Sequence, residues 1–186
     1  MIEKYLDKFI ANTLLLKNFV IEDKVTNLFA EHPRVIFCTM GKSAFACRKI
    51  VYTARSFSLQ WHDLDVCHAF HGDAGLIKED DLLVFVSKSG ETKETLEVAK
   101  FFQKNKTIAI TSERNSSLNK LCEYSIFIDV PDEGSPFGFS PMSSTSSYMI
   151  VLHAILCYVI KKKEIKLSTF ANNHPSGKIG ERLAKR

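Results

Sequence analysis

Short apolar runs alternate with longer segments of helical periodicity along the chain, which predicts an α/β fold. The apolar runs of strand length span 35–38, 59–62, 82–86, 107–110 and 125–128. Most of them are apolar at consecutive positions, as strands buried on both faces of a parallel sheet are. We therefore expect a five-stranded parallel sheet, flanked by helices, with the flavodoxin-like strand order 2-1-3-4-5.

The segments between the runs predict the helices that cover this sheet. They span 43–55, 92–104 and 116–121, and a longer helix is expected over about 143–162. Before the first strand, one helix is predicted by a stripe of mainly apolar residues, and a second over 22–31, before Pro33. The stripe contains Tyr5, Leu6, Phe9, Ile10, Thr13 and Leu14. No repeat or linker divides the chain, so we expect one domain over 1–186, with N-terminal helices in 1–32 and the α/β core and tail in 33–186.

Composition narrows the class of protein without naming a function. The chain has 186 residues, with 25 Lys and Arg against 21 Asp and Glu, a basic excess too small to indicate nucleic-acid binding. Its five cysteines include no C-x-x-C pair, which favours a reducing compartment over a disulfide framework or zinc knuckle. The longest apolar run, 148–160, is too short to span a bilayer. We expect a cytoplasmic protein with no membrane or nucleic-acid partner.

The first strand-to-helix junction indicates an anion site. Gly41, Lys42 and Ser43 follow the first apolar run and would place backbone N–H groups, an ammonium and a hydroxyl at a helix start. A nucleotide P-loop is excluded because that motif requires glycine where this chain has Ile36. An ordinary tight turn at Gly41 is the alternative.

The second junction carries more hydroxyls and follows the third apolar run. Ser87, Ser89 and Thr92 can donate to phosphate oxygens at a helix N-terminus. Helix capping is the alternative, since serine and threonine with a glutamate form capping boxes on their own.

A third hydroxyl cluster opens the long helix predicted after Pro141. It contains Ser143, Ser144 and Thr145, more hydroxyls than a cap requires, which favours a ligand.

Histidines after the second strand leave two interpretations open. His68 and His71 lie three residues apart, with His62 and Cys67 nearby. A metal site is the weaker interpretation because no third-ligand motif accompanies them, and we expect no required metal. Polar contact with a hydroxylated substrate is the alternative.

Two further segments contain candidate groups. Residues 129–142 hold three prolines and two glycines between a strand and a helix, which predicts a loop carrying Glu133. Near the C-terminus, His174-Pro175-Ser176-Gly177 interrupts a helical pattern. A solvated carboxylate and a surface tail are the alternatives for these two segments.

Taken together, these motifs resemble the sugar isomerase (SIS) domain, and within it the arabinose-5-phosphate isomerases, over about residue 35 to the C-terminus. The general SIS features are Met-Gly-Lys-Ser at 40–43, Ser-Lys-Ser-Gly-Glu-Thr at 87–92 and Ser-Ser-Thr at 143–145. The closer likeness to arabinose-5-phosphate isomerases comes from His-Gly-Asp at 71–73, Glu-Gly-Ser-Pro-Phe-Gly at 133–138 and His-Pro-Ser-Gly at 174–177.

The resemblance implies interconversion of D-arabinose 5-phosphate and D-ribulose 5-phosphate through an enediolate, without a cofactor. It also implies a homotetramer with sites near subunit interfaces, and a place in 3-deoxy-D-manno-octulosonate synthesis for lipopolysaccharide or capsule. The family's catalytic positions fall on Lys42, Glu94, Glu133 and His174, with His174 expected from a neighbouring subunit. Either glutamate is a candidate for the base, and the hydroxyls of the second and third junctions are assigned to the phosphate.

The sequence also departs from the family pattern. Thr39 and Ala44 replace glycines, Lys88 replaces an asparagine, His68 a glutamate and Ser176 a glycine. Family members commonly carry C-terminal CBS domains, which are not expected in this sequence. The alternatives are another SIS isomerase, acting for example on a hexulose 6-phosphate, and a phosphosugar-binding regulator without turnover. The regulator is disfavoured because there is no space for a helix-turn-helix before residue 35.

Overall fold

The computed structural model of the protein describes residues 1–183, and the predicted domain span 1–186 therefore includes three residues, 184–186, outside the described part. The strands are β1 (Arg34–Thr39), β2 (Gln60–Asp65), β3 (Leu82–Val86), β4 (Lys106–Thr111) and β5 (Tyr124–Phe127). The helices are α1 (Ile2–Leu14), α2 (Asp23–Glu31), α3 (Gly41–Arg55), α4 (Lys93–Phe101), α5 (Ser117–Leu121), α6 (Ser143–Lys162), α7 (Leu167–Asn172) and α8 (Gly177–Leu183).

The five strands form one parallel sheet in the order β2-β1-β3-β4-β5, which confirms the predicted topology. Val35 of β1 pairs with Trp61 of β2 on one side and with Leu82 of β3 on the other. The order reverses at β1, so the chain leaves β1 and β3 in opposite directions, and a crevice is expected at their carboxyl ends.

Most element boundaries agree with the sequence prediction, and the differences have local causes. β2 extends to Asp65 instead of ending at 62, because its pairing with β1 continues as far as Asp65, opposite Thr39. α4 ends at Phe101, three residues before the predicted end, and a turn leads from it into β4. Two short 3-10 helices, Ala69–His71 and Asp73–Leu76, join β2 to β3 and were not predicted.

Two apolar clusters, one on each face of the sheet, form the core. One contains Phe29, Phe37 and Trp61, whose rings lie 5.6–6.5 Å apart. The other includes Phe85 of β3, Val98 of α4 and Leu118 of α5. Burial of strand residues on both faces explains why the runs in the sequence are continuously apolar.

Helix α6 is the longest helix of the described chain. Its length and apolar composition are sufficient for a membrane span, although the sequence run of 148–160 was expected to be too short. Half of the apolar stretch of α6 is buried inside the fold, where Tyr148, Leu152 and Val159 belong to the larger apolar cluster. α6 is therefore a core helix of this domain, and its position fixes the loop that precedes it.

Several apolar residues of helix α1 are exposed to solvent. None of its residues is fully buried, and Leu6, Ile10 and Leu14 on its apolar stripe are more than half exposed. The side facing the domain contains Lys8 and Asn12, which hydrogen-bond to residues preceding and starting α6. Leu6, Ile10 and Leu14 are thus left uncovered in a single chain.

Candidate active site

The carboxyl edge of the sheet brings together most of the predicted site residues. β1 leads into Gly41 at the start of α3, where a φ of +59° suits glycine, followed by the exposed Lys42 and the half-buried Ser43. β3 ends immediately before Ser87, and β1 and β3 are neighbours. Lys42 and the loop 87–92 therefore lie at the ends of adjacent strands.

The loop 87–92 is held by its own hydroxyls, and these do not cap α4. The hydroxyls of Ser87 and Thr92 are 2.9 Å apart, and the Gly90 N–H donates to Ser87 Oγ at 3.1 Å. Thr92 is the N-cap residue of α4, yet its side chain accepts no helix N–H. The capping interpretation does not describe this junction, because the Ser87 and Thr92 side chains hydrogen-bond to each other across the loop.

Ser89 is the hydroxyl of this loop that faces solvent. Its Oγ accepts the Glu91 N–H at 3.2 Å, which leaves its own proton available to a ligand. Ser87 is only 5% exposed. A phosphate approaching the loop would therefore meet Ser89 first.

Glu133 is buried at the start of α6. Its side chain is 3% exposed, and Oε2 accepts backbone N–H groups from Met142 at 2.8 Å and Ser144 at 3.0 Å. Oε1 accepts the Lys88 ammonium at 2.6 Å. Burial raises the pKa of the Glu133 carboxyl, but Lys88 and the two N–H groups outweigh that effect and lower the pKa below its ordinary value. Glu133 is therefore a fixed carboxylate at neutral pH.

The hydroxyls that open α6 are largely committed to the protein itself. Ser143 and Ser144 are 3% and 1% exposed. Ser143 Oγ donates to the Glu133 carbonyl at 3.0 Å and accepts the Asn12 amide at 2.8 Å. Thr145 Oγ1 donates to the Met142 carbonyl at 2.9 Å. Their assignment to phosphate stays a prediction, since these contacts leave only the partly exposed Thr145 near the surface.

Helix α1 supports the loop that carries Glu133. Asn12 Nδ2 donates to the Asp132 carbonyl at 2.7 Å, and Lys8 Nζ lies 3.1 Å from Asp132 Oδ2. The ring of Phe9 packs so closely on Gly134 that an added Cβ would lie 2.8 Å from it. No sequence pattern indicated these contacts, because Asn12 and Asp132 are 120 positions apart and neither belongs to a motif.

Glu94 and His71 complete this edge of the sheet. Glu94 is exposed in the first turn of α4. Desolvation is the main cause of the raised pKa of the Cys67 thiol, Asp65 adds to it, and the charge of Glu94 makes a smaller contribution. His71 is exposed in the 3-10 helix that follows β2.

Only His174 lies far from the other catalytic candidates. Its ring stacks on Phe170 at 4.1 Å, and the adjacent Asn173 donates to the Ser56 carbonyl at 3.1 Å, at the end of α3 opposite Lys42. A helix of 15 residues spans roughly 22 Å. His174 is therefore not brought to Lys42 within one chain.

Metal ligands do not cluster in the described chain. Within residues 1–183, no three His, Cys, Asp or Glu side chains form a group that could hold a metal ion. The side-chain groups at the carboxyl edge are carboxylates, ammonium groups, hydroxyls and the imidazole of His71.

Comparison with known proteins identifies the family. The SIS domain model matches residues 28–158, which include β1 to β5 and most of α6. The chain belongs to the SIS domain family. It is 34% identical, over 82% of its length, to the arabinose 5-phosphate isomerase KpsF of Escherichia coli, and 30% identical, over 86%, to the arabinose 5-phosphate isomerase KdsD of Yersinia pestis. The matches cover 49% of each relative, so this SIS chain spans about half their length.

A solved structure shares the fold of this SIS domain. A protein of E. coli CFT073, solved in complex with arabinose 5-phosphate, superposes with a TM-score of 0.85, at 24% identity, covering 94% of this chain and 95% of that one. The flanking helices and the sheet order of this SIS domain thus recur in a known structure.

Proposed function

We propose that this SIS domain is an aldose–ketose isomerase that interconverts D-arabinose 5-phosphate and D-ribulose 5-phosphate in the cytoplasm, for 3-deoxy-D-manno-octulosonate synthesis. The observation that carries the proposal is the 34% identity to an arabinose 5-phosphate isomerase over 82% of the chain. Lys42, Glu94 and Glu133 at one edge of the sheet supply the cation and carboxylates that such a reaction needs.

The phosphate is assigned to the loop 87–92. The exposed Ser89 hydroxyl has a proton to donate, and the N-terminus of α4 favours negative charge. Lys42, at the neighbouring strand end, is assigned to the oxygen that becomes negative in the enediolate, where a positioned cation is worth several kcal/mol.

Glu94 is the better candidate for the base that moves the proton between C2 and C1. A base must accept a proton, and Glu133 has three hydrogen bonds that stabilise its ionised form and lower its pKa. Glu94 is exposed and has no such donors among the described residues. Glu133 then serves as a fixed negative charge that organises the start of α6.

Glutamine substitutions test this assignment. Glu94→Gln should lower turnover of arabinose 5-phosphate on the order of a hundredfold with little change in KM, because it removes basicity and keeps shape. Glu97→Gln is the matched control, a glutamate one turn further along α4, and should leave turnover unchanged. Near-normal turnover of Glu94→Gln would contradict its role as base.

A substrate panel tests the reaction itself. Purified protein should convert arabinose 5-phosphate faster than hexulose 6-phosphates, and reaction in D₂O should incorporate deuterium if an enediolate forms. Preference for a hexulose 6-phosphate would assign another SIS reaction. Binding of sugar phosphates with no turnover of any of them would support a regulator instead.

A homotetramer is part of the proposal. The exposed apolar stripe of α1, including Leu6 and Ile10, needs cover, and His174 can join Lys42 only from another copy of the chain. Light scattering should report four chains. A fully active monomer would contradict both the assembly and a catalytic role for His174.

A further inference from the structure

The contact between Lys88 and Glu133 is not explained by any of the motifs. Lys88 Nζ lies 2.6 Å from Glu133 Oε1, and the two residues are 45 positions apart in the chain. The carboxylate is 3% exposed, whereas the lysine side chain is 39% exposed. The pair therefore joins the loop after β3 to the loop before α6, with its negative end inside the protein.

Both ends of the pair are held in place by the backbone. The Lys88 carbonyl accepts the Thr111 hydroxyl at 2.9 Å and the Ser112 N–H at 3.0 Å, both at the end of β4. The Glu133 carbonyl accepts the Ser143 hydroxyl and N–H. The two loops that the pair joins are therefore each held by bonds of their own, to the end of β4 and to the start of α6.

Lys88 is the one cationic side chain that contacts Glu133 among the described residues. The remaining donors to the carboxylate are the backbone N–H groups of Met142 and Ser144. Removing one partner of a buried ion pair leaves a charge whose desolvation is no longer compensated. Without Lys88, Glu133 would retain two neutral donors in a buried setting that favours its protonated form.

Other ionisable groups near Glu133 cannot replace Lys88. On its own loop, Asp132 is negative and has Lys8 of α1 as partner. On α6, burial raises the pKa of Tyr148 well above its ordinary value, so that residue is neutral. Neither side of the loop offers Glu133 a second cation.

We propose that Lys88 is a positioning residue of the site: its ammonium keeps Glu133 ionised and in one orientation, and thereby fixes the loop 129–142 against the start of α6. In this role Lys88 acts through Glu133. The kinetic part of this proposal rests on the proposed isomerase activity, whereas the ionisation of Glu133 does not.

Carboxyl ¹³C NMR of the full chain tests the ionisation directly, with Glu133→Gln identifying the signal. In the unsubstituted chain Glu133 should titrate below the ordinary glutamate range. Lys88→Met should raise its midpoint by roughly one pH unit or more, and Lys88→Arg should restore most of the shift. Lys100→Met removes an exposed lysine of α4 and should leave the midpoint unchanged.

The pH dependence of kcat/KM for arabinose 5-phosphate provides the second readout. In Lys88→Met the acidic limb should move to higher pH together with the NMR midpoint, and Lys88→Arg should reverse this. If Lys88→Met does not fold, Lys88→Asn is measured in its place, because it keeps a donor and removes the charge.

The outcomes separate this proposal from the proposed function. An unchanged Glu133 midpoint in the neutral Lys88 variants overturns the positioning role. The positioning role is also overturned if the Glu133 midpoint shifts but the acidic limb of kcat/KM does not shift with it. A shifted midpoint in a protein that turns over no sugar phosphate overturns the isomerase assignment and retains the ion pair as the group that fixes the loop.

Discussion

Substitution of Gly90 by alanine should disrupt the loop 87–92 through a steric clash with α5. Gly90 has a φ of +64°, and an added Cβ would lie 2.4 Å from Ser116 Oγ and 2.5 Å from Ser116 Cβ. Ser116 is buried and is the N-cap residue of α5, so it cannot move aside without breaking its bond to the Asn119 N–H. Gly90 is thus the place where the loop 87–92 rests against α5.

The expected loss in free energy of unfolding for Gly90→Ala has two contributions. A left-handed backbone costs an alanine roughly 1–2 kcal/mol, and overpacking a buried site costs about 1–3 kcal/mol. Gly138 has a similar φ of +74° but no atom within 4 Å of its added Cβ. Gly138→Ala should therefore lower the free energy of unfolding by about 1 kcal/mol and Gly90→Ala by about 3 kcal/mol.

Urea unfolding at fixed protein concentration measures these differences, since association would otherwise contribute to stability. Ser116→Gly removes both clashing atoms, at a cost of a few tenths of a kcal/mol for the lost cap. In that background Gly90→Ala should cost its backbone part and a smaller amount for Thr111 Oγ1, which lies 3.2 Å from the added Cβ. Equal effects of Gly90→Ala and Gly138→Ala, or no rescue by Ser116→Gly, would refute this reasoning.

Three further predictions concern Glu133 and residues around it. Asn12→Ala should lower the free energy of unfolding by about 1–3 kcal/mol and reduce turnover, because its amide bridges the Asp132 carbonyl and Ser143; unchanged thermal unfolding would contradict this. Tyr148→Phe should be neutral or stabilising by equilibrium unfolding, because the buried hydroxyl has no hydrogen-bond partner among the described residues. The pKa of Glu133 is lowered in the folded state, so its ionised form stabilises the fold above the ordinary glutamate pKa of about 4.3. This stabilisation is lost as pH falls through the folded-state pKa. The stabilities of the unsubstituted chain and of Glu133→Gln, measured against pH, should therefore converge at the acidic end of that range.

The sequence predicted the sheet well because its strands are buried on both faces. Continuous apolar runs such as that of β3 are typical of central parallel strands, which are buried on both faces. The segments between these runs are long enough for the helical crossovers that parallel strands require. The ends of β2 and α4 were less accurate, since the residues that decide where an element stops lie at the surface and carry weak patterns.

The sequence could place candidate site residues where they directly follow a strand. Gly41, Lys42 and Ser89 occupy the carboxyl edge because they follow their strands directly, and the parallel order brings those ends together. The role of hydroxyls in the same motifs was less predictable. Ser87 and Ser143 carry the same group as Ser89, and only packing decides that their hydroxyls are used within the protein.

The tertiary structure alone decided which distant side chains meet. Lys88 contacts Glu133 across 45 positions, Asn12 reaches Ser143 across 131, and His174 lies at the opposite end of α3 from Lys42. Periodicity and composition report on neighbours within a few residues, because local backbone geometry produces them. Contacts at such separations depend on how α1, α6 and the loop 129–142 pack on a completed sheet, and no local pattern encodes that arrangement.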